Sequence, residues 1–259
     1  MFKTDNYKNK TVVITGGTKG IGLGITKAYL SLSAKVIILA RNKPKKQIQV
    51  KGNKALFYQC NVRDNANVEE VINEVFKANK CIDVLINNAG GAPLINSLDA
   101  SMNFNNAIID LNLNSSFTVS YYVAKKMIKK SSGCVITNIS SVTATRPTPG
   151  SAAYGAAKGG LVNLTKTLAV EWAPRIRVNS IITGYIETEN SLVHYGSKKD
   201  MKAVAKTIPM KRMGTPEDIA NACIFLSSAN SSWITGTAIE VHGGGESPTY
   251  LNSAKPKKS

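Results

Sequence analysis

The amino-acid sequence predicts a single α/β domain: a doubly wound parallel sheet of about seven strands, with helices on both faces. Two observations carry this expectation. Short β-branched, nearly continuous apolar runs recur at 11–15, 35–40, 55–60, 83–86, 134–139, 177–182 and 238–241, the pattern of strands buried on both faces. Helical-period segments lie between them, so the crossovers are right-handed and the strands parallel. Val68, Val71, Ile72, Val75 and Phe76 follow the i, i+3, i+4, i+7, i+8 rule of one apolar stripe. Thr215-Pro216-Glu217-Asp218 supplies an N-cap, a proline in the first turn and two early acids, opening a helix toward Leu226.

Length and composition agree with this. The 259 residues, 43% hydrophobic and 19% charged, can bury a large core without metal or disulfide support. No linker, repeat or low-complexity stretch divides residues 1–259. The segment 187–213 has no strand and carries a helical stretch near 198–206; an insertion of that length is expected to be a lid over a site. Residues 252–259 form a basic tail, expected to be flexible. No apolar run is long enough to cross a membrane, and the start of the chain lacks the apolar core of a secretory signal. Cys60, Cys81, Cys134 and Cys223 are far apart, which suits reduced thiols in a cytoplasmic protein.

The formal charge of +17 leaves open nucleic acid, an anionic membrane surface or small polyanions such as nucleotides and acyl-thioester carriers. Dense basic runs occur only at 41–54 and 255–258, so most of the charge is expected to be solvated surface. His194 and His242 have no Cys, Asp or Glu partners at ligand spacing, and no metal is expected. His242 is expected to pack near the last strand, and His194 with Tyr195 to line the lid.

The first strand runs into Thr15-Gly16-Gly17-Thr18-Lys19-Gly20-Ile21-Gly22, followed by a helix. Glycines there let backbone N–H groups approach a pyrophosphate, while the helix N-terminus adds partial positive charge. Its spacing, T-G-x-x-x-G-x-G, differs from the common G-x-G-x-x-G dinucleotide fingerprint. Further on stand Asn87-Asn88-Ala89-Gly90 and Tyr154-Gly155-Ala156-Ala157-Lys158, and the chain closes with Ile234-Thr235-Gly236 and Gly243-Gly244. Three such motifs, in this order and at this spacing, resemble the short-chain dehydrogenase/reductase family over essentially the whole chain, and the stretch from Lys211 to Ala220 resembles that of members reducing 3-oxoacyl thioesters, sugars or steroids.

The resemblance implies a Rossmann-like fold and an NAD(P)-dependent oxidoreductase interconverting a ketone and a secondary alcohol. Tyr154 and Lys158, four residues apart on one helix, face the same side. A cationic neighbour favours tyrosinate, so the pair can handle the alcohol proton while the cofactor carries the hydride. Ser141, thirteen residues before Tyr154, matches the family serine that bonds the substrate oxygen, with Ser140 as its adjacent competitor. Asn112 matches the asparagine that holds a relay water; its other reading is a backbone-satisfying side chain.

For the cofactor, the resemblance implies contacts from Gly16, Thr18, Lys19, Gly20, Ile21, Gly22, Asn88, Ala89, Gly90, Tyr154 and Lys158. The family's usual Asp-Val against adenine is here Asn61-Val62, and its Pro-Gly segment beside the nicotinamide is Thr183-Gly184, followed by Ile186 and Thr188. In dinucleotide folds an acid after the second strand holds the ribose of NAD, whereas an arginine accommodates the extra phosphate of NADP. Arg41 follows the second strand, no carboxylate occurs in 41–54, and Lys19 lies in the glycine turn, so NADP is expected over NAD. Arg146, Tyr185 and His194 are expected around the substrate, with Ser141 and Tyr154 on its reacting oxygen. That substrate is a small carbonyl or alcohol, with an acyl thioester among the candidates, and the protein is expected to be a homotetramer or homodimer. The alternative from another class is a non-catalytic nucleotide sensor or nucleic-acid-binding protein, which would have no use for Ser141, Tyr154 and Lys158.

Overall fold

The computed structural model describes residues 7–129 and 133–246, so the basic tail at 252–259 lies outside the described residues. In chain order the first half comprises β1 Thr11–Thr15, α1 Gly20–Ser31, β2 Lys35–Ala40, β3 Gln49–Val50, β4 Asn53–Lys54, β5 Leu56–Gln59, α2 Asn65–Asn79 and β6 Val84–Asn87. There follow α3 Met102–Ile109, a π-helical turn Asp110–Asn114, α4 Ser115–Met127, β7 Cys134–Ser141, α5 Ala152–Trp172 and β8 Ile176–Thr183. The chain then forms α6 Ser191–Tyr195, α7 Lys198–Thr207, α8 Pro216–Ser227 and β9 Ala238–Val241.

Seven strands make one parallel sheet in the order β5-β2-β1-β6-β7-β8-β9, the expected doubly wound Rossmann-like fold. Winding runs outward from β1 through β2 to β5, then returns to β6 on the other side of β1. A crevice opens at such a reversal, beyond the carboxyl ends of the two central strands. Alternate strand residues feed two cores. Val13, Ile37, Leu85, Ile136 and Val178 meet α2, α4 and α5 through Val71, Ile72, Val123, Met127 and Leu168. Val12, Ile14, Val36, Ile38 and Ile86 meet α1 and α8 through Ile25, Tyr29, Ile219, Cys223 and Leu226. Both faces of β1 are therefore apolar, which is why its sequence shows a run rather than an alternation. Gly24 permits unusual closeness between α1 and α8, since a Cβ there would stand 2.3 Å from Pro216 Cβ.

Three features went beyond the sequence expectations. Within the basic stretch 41–54 a hairpin forms between β3 and β4, turning on Lys51 and Gly52 at φ 49° and 81°. Two consecutive positive φ values suit the twist of a tight hairpin. The strand expected to end at 139 continues through Ser140 and Ser141 as β7. The π-helical turn merges α3 with α4 and buries Asn112.

Segment 187–213 carries α6 and α7, and its two ends meet: Ile186 and Gly214 form a parallel bridge, with Glu187 N–H donating to the Gly214 carbonyl at 2.8 Å. The helix expected at 215 starts as predicted, with a capping box between Thr215 and Asp218 and a bidentate Arg212–Asp218 pair at 2.7 and 2.9 Å. Burial leaves Cys60, Cys134 and Cys223 inside and Cys81 half-buried, all as free thiols. No described helix is long and apolar enough to cross a membrane.

Candidate active site

The glycine turn is held open from behind. Thr15 Oγ1 accepts from the Asn88 and Ala89 N–H groups at 3.0 Å, and Asn88 Nδ2 donates to the Thr15 and Gly16 carbonyls at 3.0 and 3.3 Å. Asn88 is thus a brace for the turn as well as a wall of the crevice. A Cβ at Gly22 would stand 2.3 Å from the Gly16 carbonyl and 2.5 Å from Asn88 Nδ2, so only glycine fits. Gly16 takes φ 67°, a conformation that costs glycine nothing.

From this turn a crevice of about 400 Å³ runs to Tyr154 and Lys158. It is lined by Gly16, Thr18, Lys19, Gly20, Ile21, Gly22, Arg41, Val62, Asn88, Ala89, Gly90 and Thr188. These expected cofactor positions therefore come together although they span five strand ends. The residues fit a dinucleotide: a cradle without side chains at one end, two cations beside it and a polar pair at the other. Three expected positions lie off the crevice wall. Asn61 turns its amide oxygen to Arg63 N–H at 3.3 Å, while its own N–H donates to Asn67 Oδ1 at 2.9 Å. Gly184 is backed by His242, whose Cβ would be 2.7 Å from an added Cβ. Ile186 is buried in the bridge to Gly214.

At the far end of the crevice, Lys158 is 3% exposed and its Nζ donates to the Ile139 carbonyl at 2.8 Å. Burial lowers its pKa from 10.5 to about 8. The ammonium lies 5.7 Å from the Tyr154 ring centre. Against expectation, the phenol is not acidified in the protein alone. Burial raises the Tyr154 pKa, and a hydrogen bond with Ser141 only partly offsets it. Desolvation outweighs a cation whose nearest partner is a backbone carbonyl. Of the two candidate serines, Ser140 spends its hydroxyl on the Lys158 carbonyl at 3.1 Å, whereas Ser141, which accepts from Thr143 N–H at 3.3 Å, is the one that lowers the Tyr154 pKa.

Asn112 makes three hydrogen bonds to backbone. Its Nδ2 donates to the Gly91 and Ile108 carbonyls at 3.1 and 2.9 Å, and its Oδ1 accepts from Gly91 N–H at 2.8 Å. The backbone-satisfying reading therefore describes the contacts seen: Asn112 pins the Gly90–Gly91 loop beside Lys158. A Cβ on Gly90 would meet Asn112 Oδ1 at 2.6 Å and Lys158 Nζ at 3.3 Å.

Over the site, Arg146 Nη2 donates to Tyr185 Oη at 2.9 Å and to Glu246 Oε1 at 2.7 Å. Tyr185 packs edge-on against Tyr195 at 5.9 Å, and Tyr195 against His194 at 4.7 Å. Burial pushes the Tyr195 pKa up to about 12, with Tyr185 and Tyr154 adding to the rise, which places Tyr195 near the Tyr154 phenol. His194 itself is exposed, one ring further out. Glu246 had no signal in the sequence, because its partner Arg146 is a hundred residues away. The absence of an acidic partner for His242 does not hold either: Glu240, two positions earlier on the same strand face, accepts at 2.7 Å. No group of three metal-ligating side chains exists among the described residues.

A larger cavity of about 660 Å³ lies beneath α6 and α7, lined by Leu192, Met201 and Met213. It touches Thr188 but not Tyr154, which lines the smaller crevice. At the boundary, the Glu189 carboxylate accepts from Gly20 N–H at 2.8 and 3.1 Å.

Comparison with known proteins agrees with this geometry. A family profile described as Enoyl-(Acyl carrier protein) reductase matches residues 16–246. The chain is 36% identical over 242 residues to the 3-oxoacyl-[acyl-carrier-protein] reductase FabG of Chlamydia pneumoniae, covering 91% of this chain and 96% of that protein. It is 35% identical over 255 residues to the oxidoreductase UcpA of Salmonella typhimurium, covering 94% and 97%. Among solved structures, the ligand-free aldohexose dehydrogenase of Thermoplasma acidophilum superposes with a TM-score of 0.86 at 31% identity, covering 98% of each chain. With the glycine turn, the Asn-Asn-Ala-Gly strand end and the Tyr154–Lys158 helix in one crevice, and relatives matched along nearly their full length, the chain belongs to the short-chain dehydrogenase/reductase family of oxidoreductases.

Proposed function

We propose that the protein is an NADP(H)-preferring reductase of a ketone, in which Tyr154 passes the proton, Ser141 holds the substrate oxygen and Lys158 fixes the phenol's surroundings. The observation that carries this reading is Tyr154 itself: half-buried, one turn from Lys158 and lining, with it, a crevice that begins on the glycine turn. When bound, the cofactor supplies the hydride. The chain's part is positional and protonic. A phenol whose pKa burial has raised keeps its proton near neutrality, which suits donation to a carbonyl oxygen as charge builds there. Asn112 keeps one Oδ1 lone pair beyond its backbone bonds, and a relay water would bind there.

Arg41 and Lys19 at the turn's edge support NADP over NAD, since both are exposed cations lining the cradle. Segment 187–213 serves as the substrate lid, with Arg146, Tyr185 and Tyr195 forming the mouth beneath it. A 3-oxoacyl thioester is the favoured substrate class. The FabG relatives support it, and a basic surface of +17 would draw an acidic carrier or coenzyme. The non-catalytic alternative finds no support in the family comparisons. Exposed Phe117, Tyr121 and Val170 on α4 and α5 support a homotetramer or homodimer, which light scattering would check.

The test is a substrate panel followed by NADPH absorbance: 3-oxoacyl thioesters, free ketones and sugars, with alcohols and NADP in reverse. Turnover of the thioesters above the free ketones is expected. Turnover confined to NADH, or to sugars, would overturn the finer reading.

A further inference from the structure

Four helices of this protein cap their own N-termini. Asp64, Ser101, Ser197 and Thr215 each accept a hydrogen bond from the first turn of α2, α3, α7 and α8. At α1 the corresponding residue is Lys19, whose side chain offers donors and no acceptor. The first turn of α1 also contains no acidic residue. This helix end is therefore left positive and unsatisfied by local sequence, which is what an arriving anion requires.

An anion is nevertheless present. Glu189, some 169 positions away, lays both carboxylate oxygens on Gly20 N–H, at 2.8 and 3.1 Å. It directly follows Thr188, whose methyl carbon would lie 3.6 Å from a Cβ on Gly20. Glu189 thus stands at the root of segment 187–213 with its charge in the cradle. The contact is solvent-exposed, so water screens it and a better anion can displace it.

We infer that Glu189 is an affinity-setting competitor for the cofactor's pyrophosphate: it caps α1 in the free protein and leaves the cradle when the dinucleotide enters. This rests on the dinucleotide reading of the crevice and adds a consequence for the lid. The N–H groups that hold phosphate and the residue that roots the lid are joined by one carboxylate. Cofactor entry must break that tie, because a carboxylate and a diphosphate cannot share one donor without like-charge repulsion. The lid root is therefore released by cofactor, before substrate arrives.

The experiment is a fluorescence titration with NADPH of the full-length wild type, Glu189→Ala, Glu189→Gln and Glu187→Ala. It is paired with hydrogen exchange over residues 16–24 in the free proteins. Both Glu189 variants are expected to bind NADPH about two- to five-fold more tightly, the scale of one exposed carboxylate at a helix N-terminus. Glu187→Ala, which changes an exposed neighbour, is expected to bind like the wild type. Exchange at the glycine turn should quicken in Glu189→Ala. Unchanged or weaker affinity in both Glu189 variants would overturn the inference. Failure of all four proteins to bind NADPH would overturn the dinucleotide reading on which it rests.

Discussion

The two ends of the crevice are made of different material. At the glycine end the surface is largely backbone, braced by the Thr15 and Asn88 side chains, and Gly22 has no room for a methyl group. Beyond its other end, next to Tyr154, stands a chain of partly exposed side chains, Arg146 to Tyr185 to Tyr195, with Glu246 on Arg146. Backbone presents the same N–H groups whatever the neighbouring sequence, so that end can serve one cofactor across a family. Side chains can be exchanged one at a time. That contrast fits relatives of similar identity whose names describe acyl-carrier-protein and aldohexose chemistry.

Substitutions can break this contrast at its joint and on either side. The largest effect is expected from Tyr154→Phe, where the proton donor is lost but the ring stays: kcat should fall roughly 10²–10⁴-fold while NADPH titrates normally. A mutant with near-wild-type turnover would end the proton-transfer assignment. On the cofactor side, Arg41→Ala removes a charged partner for the extra phosphate, worth about 1.5–3 kcal/mol. The ratio of kcat/KM for NADPH over NADH should then fall by about ten- to a hundred-fold. If the ratio holds, Arg41 is only a surface cation.

On the substrate side, Arg146→Ala should alter KM across a substrate panel and leave NADPH affinity in place, since Arg146 lies on the mouth and not in the cradle. A loss of NADPH binding would show the two ends to be one unit. The smallest effect concerns stability alone. Thr215→Ala removes the α8 cap and should cost about 1 kcal/mol by denaturant unfolding, without changing kinetics.

Lys158 gives the contrast a pH signature. Its folded pKa of about 8 lies below its ordinary 10.5, so between these values the unfolded chain holds a proton that the folded one has lost. Its contribution makes the cofactor-free protein more stable as pH rises from 8 to 10.5, with the penalty complete below 8. Melting temperatures over that range should rise less steeply in Lys158→Met than in the wild type. Parallel curves would mean that the ammonium is not desolvated.

The backbone end was legible in the sequence because glycines and strand-to-helix turns are local. Residues 15–22 carry their own geometry, and the apolar runs announced all seven sheet strands to within two residues, the strand at 134 running on through Ser141. The capping of α8 was equally local. What escaped was nonlocal or energetically balanced. Glu246 and Glu189 act across 100 and 169 positions, and no spacing rule reaches that far. The π-helical turn around Asn112 has no composition of its own, and the Gly91 contact that its amide makes lies 21 positions away. The Tyr154 proton was misjudged for a different reason. Spacing shows that a cation is near a phenol, whereas desolvation, which dominates here, depends on everything packed around it.

The bridge between Ile186 and Gly214 gives segment 187–213 the character of a cassette. Its stem is zipped by backbone hydrogen bonds at 2.8 and 2.9 Å, and Pro216 seats the downstream helix hard against α1 at Gly24. The span between can be lengthened, shortened or replaced with a loop-closure cost that grows only logarithmically with its length. New specificities could therefore be spliced in at the stem while the framework that carries the hydride donor stays as it is.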